Sequence, residues 1–332
     1  MSELEQRLTD AGLARVATKL ALLGRETVRL TATQFEEEPT SRLGGRPNLA
    51  ADVTWPEWGE EPLPFVAQLD LAAIPEIKGL DLPRAGALYF FSGVLRPTRD
   101  RKERIGRNPA TGEVIKIPAR KVPKSRAAAA AKSGPRRNFR VLYSAEGLAK
   151  LPLHDFPDEL EDEYRYKGVR LEAGKAELSM PFPNDPAVSP LCVKGEEEEQ
   201  YLSFFRQWME SREAMGGSDG GRVGEHAVGG YPEYIQHDPR LRAELITTGL
   251  YSRIEGRGPN PLTGESITSK EDEPLLEKAE AAMQEWQSLF LVDSEESADI
   301  FWGDMGRLYY LIRRDDLQKR AFENVWMEFD CY

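Results

Sequence analysis

Apolar positions along this chain change spacing several times, and each change predicts an element. Leu4, Leu8, Val16, Leu20 and Leu23 recur at roughly helical intervals. Ser2 and Glu5 match a capping box ahead of them, so residues 2 to about 30 predict a helix packed on the body. Phe65–Leu71, with polar positions at Gln68 and Asp70, predicts a strand. Leu82–Phe91 predicts a turn and a buried aromatic strand, and Phe139–Tyr143 another strand. Residues 145–192 are rich in proline and acids and predict short strands and loops, for example Val169–Ala173. From Glu196 to Met215 the period becomes helical. Tyr201, Phe204, Phe205, Trp208 and Met209 form one apolar face, and the glutamates at 196–199 fall in the first turn, where negative charge suits the helix dipole. Seven glycines in 216–230 predict a flexible loop. A helix carrying Leu275, Leu276, Ala279, Met283 and Trp286 follows, then a strand at Leu289–Asp293 and a turn and strand within Phe301–Ile312. A short helix, Arg314–Ala321, precedes a last strand, Asn324–Phe329. The fold class is α+β: an N-terminal helix in 1–35 and a strand-rich body in 36–332.

The body repeats an order of features. Gly44-Gly-Arg-Pro47 answers Gly229-Gly-Tyr-Pro232, the strand ending at Asp70 answers the one ending at Asp293, and Gly86-Ala-Leu-Tyr-Phe90 answers Gly306-Arg-Leu-Tyr-Tyr310. Two strand-rich halves, about 40–145 and 225–332, are expected to pack into one mixed body. The segments GGRP, FVAQLDLA, LPRAGALYFF, GGYPEYIQHDPR, FWGDMGRLYYLI and VWMEFDCY resemble the YwqG-like family, a bacterial domain of unknown function. The resemblance runs from about residue 40 to the last residues, outside the basic stretch described below. It implies a mixed α+β fold with an internal pseudo-repeat and supplies no catalytic residue.

Composition fits a globular chain, with 40 % hydrophobic and 9 % aromatic residues. Cys192 and Cys331 are the two cysteines and suggest neither a zinc site nor a disulfide framework. The first residues lack the apolar run of a secretory signal, and no apolar run is long enough for a membrane span. A cytoplasmic location with no membrane contact is the expectation.

Charge changes the picture most. Residues 96–140 hold fifteen Lys/Arg and three Asp/Glu, a local +12, while the whole chain is −12. The remainder, with 29 basic and 53 acidic residues, is −24. Within the stretch, Arg104–Lys124 predicts a β-hairpin turning at Thr111-Gly112, too polar to bury a core of its own. The run GRNPATGEVIKIPARKVPK resembles the arm of the bacterial histone-like HU and integration-host-factor family. The resemblance implies DNA contact through Arg104, Arg107, Asn108, Lys116, Arg120, Lys121 and Lys124, with Pro109 in the position of the wedge that enters the minor groove. The family's aromatic residue, its Pro-Gly-Lys helix start and its helical dimerisation unit have no counterpart here. Asn260–Ile267 repeats the N-P-x-T-G-E-x-I pattern without the flanking basic residues. Nucleic-acid contact, docking on the acidic body or on a protein, and a solvated insertion are the readings this stretch allows. The expected function is a binding protein touching DNA non-specifically, the alternative an immunity- or adaptor-type protein-interaction module that uses the acidic body.

A polar group near the second glycine turn, Gln236, His237, Asp238 and Arg240 with Asp304 and Arg307, is the candidate ligand site of the body. Asp238 before Pro239 also serves simply to fix a turn. No catalytic triad, phosphate loop, cofactor motif or metal-ligand spacing is present in the sequence, and neither a catalytic residue nor a cofactor is assigned.

Overall fold

The computed structural model describes residues 1–34, 38–59, 61–93, 95–101, 104–107, 114–117, 120–125, 138–192, 195–213, 224–251 and 272–331. The N-terminal segment departs from the single helix expected to about residue 30. Helix α1 (Glu3–Leu8) carries the expected capping box, with Ser2 N–H donating to Glu5 and Glu5 N–H to the Ser2 hydroxyl. A wider turn, Thr9–Leu13, ends this run because Gly12 takes a left-handed φ of 89°, and α2 is only Ala17–Ala21. Strand β1 (Arg25–Thr33) follows. Thr27, Val28, Thr31 and Thr33 are β-branched and favour the pleated chain, which outweighs the leucine spacing that suggested a longer helix.

The remaining strands in chain order are β2 (Arg42–Leu43), β3 (Glu57–Trp58), β4 (Glu61–Pro62), β5 (Phe65–Asp70), β6 (Ala87–Ser92), β7 (Leu95–Arg101), β8 (Arg104–Arg107), β9 (Val114–Ile117), β10 (Arg120–Ser125), β11 (Phe139–Ser144), β12 (Val169–Ser179), β13 (His226–Gly229), β14 (Trp286–Asp293), β15 (Arg307–Arg313) and β16 (Trp326–Asp330). The longer helices are α3 (Glu196–Glu213), α4 (Pro239–Thr247) and α5 (Glu273–Ala282), and the short α6 (Arg314–Gln318) follows β15. Strand β13 lies where a loop was expected; its glycines hid a four-residue strand.

Ten strands form one antiparallel sheet in the order β11-β6-β5-β2-β12-β1-β13-β14-β15-β16. Its two edges approach each other. The ring of Phe139 on β11 lies 5.9 Å from that of Trp326 on β16, and Tyr143 lies 5.1 Å from Phe322. The sheet is therefore a nearly closed barrel. Its interior holds the apolar positions facing inward from every long strand, among them Val28, Leu30, Leu69, Leu88, Val292 and Ile312. Phe90 packs 4.9 Å from Phe290 and 4.7 Å from Tyr310 across this core. Connections plug both ends: Ile74 and Ile77 come from the β5–β6 loop, and Ala298, Ile300 and Trp302 from the β14–β15 loop. Because successive strands alternate in direction, β5 and β14 finish at opposite ends, so these two plugs are opposed as well.

Helices α1 and α2, with Val16 just ahead of α2, pack Leu4, Leu8, Val16 and Leu20 against Tyr201, Phe204, Phe205 and Trp208 of α3. This confirms the predicted face of α3 and gives it a partner: the N-terminal segment. Helix α4 covers the outer face of β14 and β15 through Ala243, Leu291, Tyr309 and Leu311. On the other half, Trp55, Leu63, Leu148 and Leu160 from connecting segments cover Tyr89 and Phe91. Both cysteines are free, and no described helix is long and apolar enough to cross a membrane.

The basic stretch leaves the barrel between two neighbouring strands. Ser92 of β6 is the register partner of Phe139 of β11, and Gly93 N–H donates to Asn138 O at 2.8 Å. Residues 94–137 are thus bracketed by chain that is already paired. Their described strands lie outside the main sheet, β7 pairing with β10 and β8 with β9.

Candidate functional site

The two glycine turns do not converge. Gly44 follows β2 and Gly229-Gly230 ends β13, and these strands finish at opposite ends of the barrel. Strands β6 and β11 meet the basic stretch at the same end as Gly44, the end away from Gly230.

The six body residues expected to form one site fall into three groups, each engaged with partners inside the protein. The first surrounds Asp330 at the end of β16, which accepts from Gln236 N–H at 2.6 Å and His237 N–H at 3.2 Å. Burial holds the His237 imidazole below the usual histidine range, and Arg242 adds to this while Asp330 opposes it.

The second centres on Arg240, 1 % exposed. Asp238 caps α4, accepting Arg240 N–H at 2.9 Å, as the Asp-Pro pair predicts. The Arg240 guanidinium reaches Asp238 at 2.5 Å and Asp185 at 2.6 Å. Burial alone would weaken its hold on the proton, yet Asp238 and Asp185 outweigh burial and keep it above the usual arginine range.

The third centres on Arg307. It donates to Glu225 at 2.5 Å and to Glu233 O at 2.8 Å, and lies 3.3 Å from Asp293, its register partner on β14. Asp304 sits in the Gly303–Met305 turn just before β15 and is itself bonded. Sequence reasoning missed Asp185 and Glu225, because nothing near Arg240 or Arg307 in the chain points to them. Asp293 stood out as the end of a strand, but its partner did not.

Two further buried groups come with these. In the first half Arg42, fully buried, donates to Asn48, whose N–H reaches Gln68 Oε1 at 2.8 Å, and Gln68 Nε2 reaches Thr40 O at 2.8 Å. In the second half Asp293 N–H lies 3.2 Å from Nδ1 of buried His226. Nδ1 is therefore the acceptor, and Nε2 carries the proton toward Glu295 Oε2 at 3.4 Å. Burial would raise the Glu295 carboxyl, but hydrogen bonds from His226 and from the Ser297 hydroxyl and N–H hold it down to about 2.

That depression has a consequence for acid stability. The folded value lies below the unfolded one, so Glu295 contributes stability fully present above about pH 4.5 and lost as pH falls toward 2. The difference corresponds to roughly 3 kcal/mol at most. Glu295→Gln is expected to flatten the fall in urea-unfolding free energy between pH 5 and 2. A variant whose acid limb stays as steep as the native one would show that the carboxylate does not carry it.

Among the described residues no group of three or more His, Cys, Asp or Glu is arranged to hold a metal ion. In the basic stretch Arg104 and Arg107 stand on β8, Lys116 on β9, and Arg120, Lys121 and Lys124 on β10. Asn108 and Pro109, at the expected wedge, lie outside the described residues, as does the second N-P-x-T-G-E-x-I copy at 260–267.

The sequence profile of a domain of unknown function, DUF1963, matches residues 41–331. The chain belongs to the DUF1963 family. The match spans every strand of the barrel except β1, which nonetheless occupies the centre of the sheet between β12 and β13. No curated protein matches the chain. The DUF1963 body thus carries its buried ion pairs as internal supports.

Proposed function

We propose that this protein is a YwqG-like, internally duplicated binding protein that contacts DNA non-specifically through its basic stretch, in the manner of an HU-type arm. The observation that carries this reading is a local +12 in residues 96–140 against −24 in the remainder, with nine of the fifteen basic residues on the strand pairs β7–β10 and β8–β9 outside the barrel sheet. Duplication is supported by strand order. On one side of the β12-β1 pair stand β2, β5, β6 and β11; on the other stand β13, β14, β15 and β16, in the same chain order. The β15–β16 connection occupies only residues 314–325, so the basic stretch is an addition to one half.

Register supports a ribbon made for an anionic partner. Arg104 pairs with Ile117, Ile105 with Lys116, and Arg120 stands opposite Arg101. Arg120 opposite Arg101 is a like-charge pair, with Lys121 opposite Asp100 beside it, and neutralisation by phosphates would offset the cost of the like-charge pair. A two-stranded ribbon also fits a nucleic-acid groove.

The test is salt. With a labelled mixed-sequence duplex, anisotropy should show binding at 50 mM salt. If about five phosphates are neutralised, log K against log salt should slope near −4 to −5. Absence of binding at 50 mM, or an affinity insensitive to salt, would end this reading.

A further inference from the structure

At the barrel end away from the basic stretch, a cavity of about 180 Å³ opens beside the second glycine turn. Gly229 and Gly230, with φ of 78° and 72°, form one wall. Their backbone shape is obligatory, since a Cβ on Gly230 would lie 2.7 Å from Thr27 Cβ. The charged groups on the other walls are Arg25 and Glu26 from the start of β1, Lys78 from the β5–β6 plug, and Arg314 from the start of α6.

Three cations and one carboxylate in a cavity are the reverse of this body's balance, where acids outnumber bases by 53 to 29. Their internal pairing is incomplete. Glu26 holds Lys78 at 3.3 Å, and Glu285, outside the cavity, holds Arg314 at 3.5 Å. Arg25 has no carboxylate within ion-pair distance among the described residues. Its guanidinium lies 4.3 Å over the Tyr231 ring, interacts with that tyrosine's side chain, and donates to Gln284 Oε1 at 3.2 Å. The ring, the Tyr231 hydroxyl side and the Gln284 amide fix the plane of the fork from neutral partners, so its charge is not neutralised by a contacting carboxylate among the described residues. Burial holds this guanidinium below the usual arginine range, with Tyr231 opposing and Arg240 adding to the effect. A half-buried arginine fork oriented by neutral partners is suited to bidentate recognition of an oxyanion.

We propose that this cavity binds a small oxyanion of the phosphate class, with the Arg25 fork as the main contact and Arg314 and Lys78 completing the cationic wall. A tetrahedral anion accepts from several directions at once, which suits cations arriving from three separate elements, whereas a planar monocarboxylate engages the fork alone.

The experiment is calorimetric titration of the full chain with inorganic phosphate, at ionic strength held constant with chloride. Saturable binding is expected, weakened at least tenfold in Arg25→Gln. Arg314→Gln, at a half-exposed position that keeps the core intact, should weaken it severalfold and decides the matter if Arg25→Gln fails to fold. Phosphate contacts made by the basic stretch are common to all variants, so the difference between variants isolates the cavity. No saturable binding, equal binding by native protein and variants, or acetate binding as tightly as phosphate would each overturn the proposal.

Discussion

Replacing residues 94–137 by Asn-Gly should leave a folded barrel that no longer binds duplex DNA. The geometry of the junction predicts the first half of this result. Ser92 and Phe139 are already register partners, and Gly93 and Asn138 are hydrogen-bonded beyond them. A two-residue type I′ turn closes such a pair without strain. Charge predicts the second half. The excision removes fourteen Lys/Arg and three Asp/Glu and leaves a chain of −23, which repels a polyanion. At a slope of −4 to −5, the native affinity itself falls roughly 250- to 1,000-fold between 50 and 200 mM salt, so the comparison belongs at the low end of that range. Circular dichroism and a urea transition confirm the fold, and anisotropy reads the loss. Undiminished binding by the shortened chain would place any DNA contact on the body and remove the case for the arm.

The second large effect concerns stability. Arg240→Ala is expected to cost about 3–5 kcal/mol, because it strands carboxylates that were desolvated on the assumption of a partner. The Asp185 side chain is 0 % exposed and that of Asp238 12 %. Asp185 also accepts from Ala187 N–H at 2.8 Å and Gln284 Nε2 at 3.2 Å, so it is held in place after the arginine is gone. Against a typical domain stability of about 5–15 kcal/mol, this is a large share of the total, and at the low end of that range it unfolds a substantial fraction of the protein. A shift in the urea midpoint at unchanged slope is the expected signature. A loss under about 1 kcal/mol would mean that the Asp185 and Asp238 carboxylates find water or protons when the guanidinium leaves.

Much of the barrel was readable from residue pattern. Strands β5, β6, β11, β14, β15 and β16 and helix α3 lie where aromatic clustering or helical spacing put them, because there local preference and tertiary burial agree. Strand β1 was misread for a physical reason. Leu20, Leu23 and the apolar residues beyond them keep a spacing compatible with a helix, and only pairing with β12 and β13 decides the conformation of Arg25–Thr33. Strand β13 escaped notice because His226–Gly229 is four residues in a glycine-rich context.

The polar groups were legible only as isolated residues. Arg240 and Arg307 were flagged, yet Asp185 lies 55 positions before the first and Glu225 82 before the second. Such pairs are created by topology, and no local spacing announces them. The cationic cavity is a stronger case of the same kind. Arg25, Lys78 and Arg314 have nothing in common along the chain, and the barrel end alone brings them together.

The paired junction at Ser92 and Phe139 also bears on the order in which the chain assembles. Strands β6 and β11 are neighbours in the sheet, but forty-four intervening residues beyond the junction must be accommodated before they zip. Shortening that interval to two residues removes between four and five doublings of loop length, on the order of 2–3 kcal/mol of closure entropy. Contacts that are local in the shortened chain are distant in the native one, and folding slows as sequence separation grows. The native protein is therefore expected to complete this side of its barrel later than an uninterrupted hairpin would, whereas β15 and β16 are joined by the short connection 314–325.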